Sequence, residues 1–244
     1  MTSTERFALV TGASSGIGAA SCRLLLEAGY QVVCLARRDA ALTSPRLHNI
    51  HVDLTDAAAT AEAAREAARR FPLTTVVHNA GAIRERPLEE VTAEDLQALT
   101  QLHVAAAITL VQAALPTMRE HHYGRIVLVS TRAVLGLAKR TVYSATKAAM
   151  LGLARTWALE LGPSGITVNV VAPGPIEATE MFHELLPADS PRLPRIIESI
   201  PVRRLGRPED VARAILFFIA PEAGFITGQT LYVCGGTSVG SITY

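Results

Sequence analysis

The sequence predicts an α/β fold, a parallel β-sheet covered by helices on both faces in a doubly wound arrangement. Three observations predict it. Short apolar runs rich in β-branched residues alternate with longer helix-like segments along the whole chain. The strand-like runs are apolar throughout, as expected of strands buried on both faces. The first run also ends in a glycine-rich turn that opens a helix-like segment, Thr11-Gly12-Ala13-Ser14-Ser15-Gly16-Ile17-Gly18.

The elements follow in order. Residues 7–10 form the first strand, and 17–28 a helix that Gly29 stops. Residues 31–36 are a β-branched run and read as a buried strand, and 48–52 as a third strand. Residues 57–70 are alanine-rich with paired charges, a helix with one exposed face, and 74–78 are the fourth strand. Residues 92–120 are long enough for one extended helix, followed by a strand over 125–129. A second long helix covers 142–161 and ends at Gly162-Pro163. Strand 166–171, helix 208–219 with proline at its start, and strand 230–233 complete the series. The one long irregular stretch, 174–208, is rich in Pro and Arg and is expected to be a substrate lid.

Composition narrows the function. The chain has 244 residues, 49% hydrophobic and 18% charged, with a mean hydropathy of +0.27. It can bury a large core, which excludes disorder, and 1–244 reads as a single domain. Twenty-three basic and 22 acidic residues give a net charge of +1, so no nucleic-acid footprint is expected. No apolar run reads as long enough to span a membrane, and Glu5 and Arg6 before a short apolar run do not make a signal peptide. Cys22, Cys34 and Cys234 lie far apart, with neither metal nor disulfide spacing, which suits a reducing cytoplasm. The histidines show no metal spacing, and no metal site is expected.

Two motifs carry the chemistry. Glycines at a strand-to-helix turn let the backbone approach a pyrophosphate, and the helix N-terminus offers unpaired N–H groups and a favourable dipole. An ordinary glycine turn has the same composition, and the spacing here is T-G-x-x-x-G-x-G. The second motif is Tyr143-Ser144-Ala145-Thr146-Lys147, whose ends share one helix face. A lysine so placed favours the phenolate and brings the tyrosine nearer to proton exchange at a carbonyl or alcohol oxygen. Either motif alone has a bland explanation; both together, in this order, point to dinucleotide-dependent redox chemistry.

With Asp53-Leu54, Asn79-Ala80-Gly81, Ile166-Thr167-Val168-Asn169, Pro173-Gly174-Pro175-Ile176 and Thr227-Gly228-Gln229 added, the chain resembles the short-chain dehydrogenase/reductase family nearly end to end. It is similar to that family's 3-oxoacyl-[acyl-carrier-protein] reductases. The resemblance implies one Rossmann-like domain with about seven parallel strands, usually a homotetramer; a homodimer is the other expectation. It implies that Gly12, Gly16, Ile17 and Gly18 line the pyrophosphate, with Ser14 and Ser15 near the adenosine ribose. Asp53 and Leu54 would flank the adenine, and Asn79, Ala80 and Gly81 would back the nicotinamide. Tyr143 would be the general acid/base, and Lys147 would bind the nicotinamide ribose and lower the Tyr143 pKa. Pro173, Gly174 and Ile176 would meet the carboxamide, assisted by Thr179, which stands one residue later than the family's threonine.

Two positions depart from the family. Aligned on the strand 125–129, the family's catalytic serine falls on Thr131; counted back from Tyr143, it falls on Ser130. The strand is the firmer anchor, because loops absorb deletions. The family's relay asparagine falls on His103, whose imidazole can donate and accept in a proton relay, or satisfy a backbone group inside the helix. His78 stands where many relatives carry another asparagine and reads as structural.

An acid after the second strand would grip the ribose hydroxyls of NAD, but Ala36 stands there, followed by Arg37 and Arg38. Arginines there pair with a 2′-phosphate and favour NADP(H); NAD(H) remains the alternative if Asp39 swings in to the ribose. Met181, Phe182, Leu185 and Leu186 in the lid, with Arg84, Arg86, Arg132, Arg140, Arg192 and Arg195, suit an acyl thioester carrying distant negative charge. The expected activity is reversible hydride transfer to a ketone or from a secondary alcohol. An NAD-dependent secondary alcohol dehydrogenase and a nucleotide-binding sensor without chemistry are the alternatives.

Overall fold

The computed structural model describes residues 6–177 and 190–239. Seven parallel strands form one sheet: β1 (Phe7–Thr11), β2 (Gln31–Ala36), β3 (Leu47–His51), β4 (Leu73–His78), β5 (Gly124–Val129), β6 (Ile166–Pro173) and β7 (Thr230–Val233). Their order is β3-β2-β1-β4-β5-β6-β7. The helices are α1 (Gly16–Glu27), α2 (Ala57–Arg70), α3 (Ala93–Thr100), α4 (Ala106–Glu120), α5 (Thr141–Leu161), α6 (Leu193–Ser199) and α7 (Pro208–Ile219). The predicted doubly wound α/β fold is the fold found.

Strand periodicity builds two cores. Leu9, Val33 and Leu35 point to one face and pack with Ala63 and Ala67 of α2, Leu110 and Met118 of α4, and Met150 of α5. Ala8, Val10, Val32 and Cys34 point to the other and meet Cys22 and Leu25 of α1 and Ile215 and Phe218 of α7. The winding reverses between β1 and β4, so the carboxyl ends of these two neighbours open a crevice.

Three expectations are corrected. Residues 92–120 are not one regular helix: α3 and α4 are joined by a π-helical turn, Gln101–Ala105, in which the Ala106 N–H reaches back five residues to the Gln101 carbonyl. The combined run Ala93–Glu120 is also long and apolar enough to cross a membrane by length and composition. Here Leu99, Leu102, Leu110, Val111 and Met118 along it are buried in the fold. The stretch 174–208 is not irregular throughout either. It contains α6, and Ile176 pairs with Gly206 in a parallel bridge.

Candidate active site

The glycine turn after β1 is shaped by contact rather than by looseness. Gly12 has φ +67°, and a Cβ on it would lie 3.0 Å from the Ala80 Cα. A Cβ on Gly18 would run into the Gly12 carbonyl and lie 2.7 Å from Asn79 Nδ2. The Asn79 side chain ties the turn from the β4 side, donating to the carbonyls of Thr11 at 3.1 Å and Gly12 at 3.3 Å. Ser15 caps α1 in extended geometry without a side-chain hydrogen bond, and no acid stands in the first turn. Ser14, Gly16 and Ile17 are half-buried around it. A cradle closed to any Cβ, at a helix N-terminus with no competing anion, fits a dinucleotide pyrophosphate.

A buried network joins this turn to the π-helical turn. Thr11 Oγ1 accepts from the backbone N–H groups of Asn79 at 3.0 Å and Ala80 at 2.9 Å. Its own proton therefore goes to His78 Nδ1, 3.1 Å away. His78 carries its proton on Nε2 and donates it to the Leu102 carbonyl at 3.1 Å. Complete burial, with the Lys147 charge second, pushes the His78 pKa down to about 3, so the ring is neutral. The strand-end role read for His78 is thus a bridge between two functional segments. Thr11 passed as an ordinary motif residue; its threonine at a strand end was the only signal.

The second cluster lies at the end of β5 and the start of α5. Tyr143 is buried, which pushes its phenol up; the nearby Thr131 hydroxyl and the Arg140 guanidinium pull it back in part. Ser130 faces elsewhere, donating to the Lys147 carbonyl at 2.8 Å. Lys147 donates to the Val129 carbonyl at 2.7 Å, and burial lowers its pKa to about 7. The resemblance assigned the downward pull on Tyr143 to Lys147. In this structure Thr131 and Arg140 exert it, and sequence reading missed Arg140 in this place.

His103 sits inside the π-helical turn, fully buried, with its ring edge-on to Tyr143 at 5.8 Å between centroids. Its Nε2 accepts from the Ala82 N–H at 3.3 Å, so Nδ1 carries the proton toward Thr146 Oγ1 at 2.9 Å. Thr146 in turn donates to the Val142 carbonyl at 2.9 Å. Burial, the Lys147 charge and His78 hold the His103 pKa far below the ordinary imidazole range. A Cβ on Gly81 would lie 3.1 Å from Lys147 Nζ and 3.2 Å from His103 Nε2, so these two nitrogens converge on one spot.

The remaining expected positions line the crevice ends. Asp53 follows β3, and its carboxyl is held down by hydrogen bonds from the Thr55 N–H at 2.9 Å and Oγ1 at 2.8 Å, aided by the Arg37 charge. Leu54 is buried, and its carbonyl accepts from Gln101 Nε2. Arg37 and Arg38 are exposed beyond β2. Asp39 does not turn toward them; it accepts from His51 Nε2 at 2.8 Å. Pro173 ends β6, and Gly174 passes so close to Cys234 that a Cβ would lie 2.8 Å from its Cα. The Ile176 bridge uses the Pro175 carbonyl and the Glu177 N–H, so Ile176's own amide groups face the opposite side. Thr179, with Met181, Phe182, Leu185 and Leu186 of the expected lid, lies outside the described residues.

The arginine rim differs from expectation. Arg84 and Arg86 both pair with the buried Asp95, at 3.4 and 2.7 Å, and Arg140 pairs with Glu85 at 3.0 Å. These three arginines are each paired locally, two of them sharing one carboxylate, rather than wholly offered outward. No cluster among the described residues could hold a metal ion.

A family model described as enoyl-(acyl carrier protein) reductase matches residues 12–238. The chain belongs to the short-chain dehydrogenase/reductase family. This short-chain dehydrogenase/reductase is 36% identical to a (2S)-[(R)-hydroxy(phenyl)methyl]succinyl-CoA dehydrogenase subunit of Thauera aromatica, over 96% of this chain and 97% of the relative. It is 37% identical to an acetoacetyl-CoA reductase of Rhizobium meliloti, over 95% of this chain and 98% of the relative. A putative NAD(P)-dependent gluconate 5-dehydrogenase from Beutenbergia cavernae, crystallised with bound NADP, superposes with a TM-score of 0.88 at 31% identity, covering 96% of this chain and 97% of the other. The short-chain dehydrogenase/reductase described here is an oxidoreductase acting between CH–OH and C=O with a nicotinamide dinucleotide.

Proposed function

We propose that this enzyme reduces the ketone of a 3-oxoacyl thioester with NADPH. One observation carries the assignment of roles: Ser144 donates to the Ala133 carbonyl at 2.9 Å, holding the Thr131 turn against the start of α5, where the Thr131 hydroxyl is near enough to lower the Tyr143 phenol, so two hydroxyls stand together for one substrate oxygen. Thr131 holds and polarises the carbonyl oxygen, and Tyr143 gives it the proton that completes the alcohol. Lys147 orients the nicotinamide ribose, and Arg140 and Thr131 draw the Tyr143 phenol toward the tyrosinate that the reverse reaction needs. His103 is read as the relay residue because its Nε2 and Lys147 Nζ both border the space beside Gly81. When bound, the nicotinamide supplies the hydride.

Gly12, Ser14, Ser15, Gly16, Ile17 and Gly18 hold the pyrophosphate and adenosine end; Asp53 and Leu54 flank the adenine. Asn79, Ala80, Gly81, Pro173, Gly174 and Ile176 line the nicotinamide end. NADPH is favoured because Ala36 offers no acid, Arg37 and Arg38 follow it, and Asp39 is engaged by His51. Its relatives' names support a thioester substrate, the acetoacetyl-CoA reductase above all. The paired rim arginines lend that class less support, leaving Arg132, Arg192 and Arg195 of the expected basic residues without an ion pair among the described residues. We also read 1–244 as one domain with 174–208 as its lid, and the protein as a cytoplasmic homotetramer or homodimer. Three free thiols and Leu159, 82% exposed on the long helix α5, support that reading.

The test is NADPH and NADH oxidation side by side with a 3-oxoacyl thioester, a 2-enoyl thioester and simple ketones. Thioester ketone reduction with NADPH preferred is expected. Turnover of the enoyl thioester alone, of ketones with NADH alone, or of nothing would overturn the substrate reading.

A further inference from the structure

We propose that His51 determines cofactor specificity by acting through Asp39, holding that carboxylate away from the ribose 2′ position. The inference rests on the NADPH reading above and deepens it. The turn after β2 reads Ala36-Arg37-Arg38-Asp39, so it carries bases and one acid within three residues of the strand end. A carboxylate at the ribose accepts hydrogen bonds from its hydroxyls and selects NAD; the same carboxylate repels a 2′-phosphate. Which charge of this turn faces the nucleotide therefore decides the preference.

The fold separates the two charges. Asp39 folds back onto the sheet edge, and its Oδ1 accepts from His51 Nε2 at 2.8 Å. His51 is the last residue of the edge strand β3 and lies opposite Ala36 in the β2–β3 register. Asp39 is thus tied to the flank of the strand whose end opens the ribose site. Arg37 is exposed, and its charge helps to lower the Asp53 carboxyl beyond β3. Asp53 Oδ1 is engaged by the Thr55 N–H and hydroxyl, and Asp53 makes no ion pair with Arg37 among the described residues.

The His51 and Asp39 side chains are 63% and 66% exposed, so the pair adds little to folding stability. Its consequence is the position of the carboxylate. Released, Asp39 is three residues from the strand end and within reach of the ribose.

The test measures NADPH and NADH dissociation constants by fluorescence titration for the wild-type protein, His51→Ala, His51→Gln and the double variant His51→Ala/Asp39→Asn. His51→Ala is expected to lower the NADPH-over-NADH preference by about 5- to 10-fold, the scale of one exposed charge-assisted hydrogen bond. His51→Gln keeps an N–H donor and is expected to stay within about 2-fold of wild type. The double variant is expected to regain the wild-type preference, because no carboxylate is left to intrude. An unchanged preference in His51→Ala overturns the inference. So does a double variant as impaired as the single one, which would mean that His51 itself meets the phosphate. A wild-type protein that prefers NADH overturns the NADPH reading directly, before any variant is compared.

Discussion

Ser130 gives its hydroxyl proton to the Lys147 carbonyl at 2.8 Å, locking the end of β5 to the middle of α5. That bond uses the hydroxyl that a count back from Tyr143 would place at the substrate, and leaves the hydroxyl of the next residue, Thr131, as the one near enough to lower the phenol. The two hydroxyls therefore do different work. Thr131→Ala should lower kcat about 10²- to 10³-fold, the usual effect of removing one donor from a developing oxyanion, and Thr131→Ser should keep most of it. Ser130→Ala should leave the chemistry and cost about 1 kcal/mol of unfolding free energy, read by urea titration. The reverse assignment of losses would exchange the two roles.

His103 separates relay from packing. Its Nε2 converges with Lys147 Nζ on the space beside Gly81. His103→Ala removes that nitrogen, and kcat should fall by at least about tenfold while the NADPH dissociation constant changes far less. Unchanged turnover would reduce His103 to a packing residue, tied only to Thr146 and Ala82.

Acid should unfold the protein through its buried imidazoles. The His78 pKa is about 3 in the folded protein against an ordinary 6.5, so between those values the unfolded chain binds a proton that the folded chain refuses. Stability is then complete above the unfolded value and falls as pH drops from about 6.5 toward 3, by up to about 1.4 kcal/mol per pH unit. His103 acts in the same direction. Urea midpoints at several pH values in this window test it, and His78→Asn should flatten the slope. An equal slope in that variant would remove His78 from the account.

The glycine turn makes a steric prediction. Gly18→Ala places a Cβ against the Gly12 carbonyl and Asn79 Nδ2. The turn must open, and NADPH binding should be lost to fluorescence titration while the far-ultraviolet circular dichroism stays unchanged. Retained binding would mean that the cradle is not the pyrophosphate site.

Much of this was legible in the residues because it rests on local pattern. Apolar runs at strand length marked six of the seven strands, the edge strand β3 being mostly polar, and the glycine turn and the Tyr143–Lys147 spacing marked the two halves of the site. The π-helical turn was not legible, because one extra residue in a helical ladder leaves the apolar pattern of 92–120 nearly intact. The neutralised rim was hidden for another reason. Arg84 and Arg86 look like free loop charges until α3 brings the buried Asp95 beneath them. The choice between Ser130 and Thr131 depended on a side-chain direction set by a partner 17 residues away in sequence. The tie between His51 and Asp39 likewise depends on the β2–β3 register, which no motif records.

The most direct test of the account is Tyr143→Phe, which removes one oxygen from a buried ring and little else. NADPH binding by fluorescence titration and turnover of a 3-oxoacyl thioester should be measured on the same preparation. The account predicts a dissociation constant within about 3-fold of wild type and a kcat lower by about 10²- to 10⁴-fold, the loss of a positioned proton donor. Turnover near the wild-type rate would contradict it and place the proton donor elsewhere.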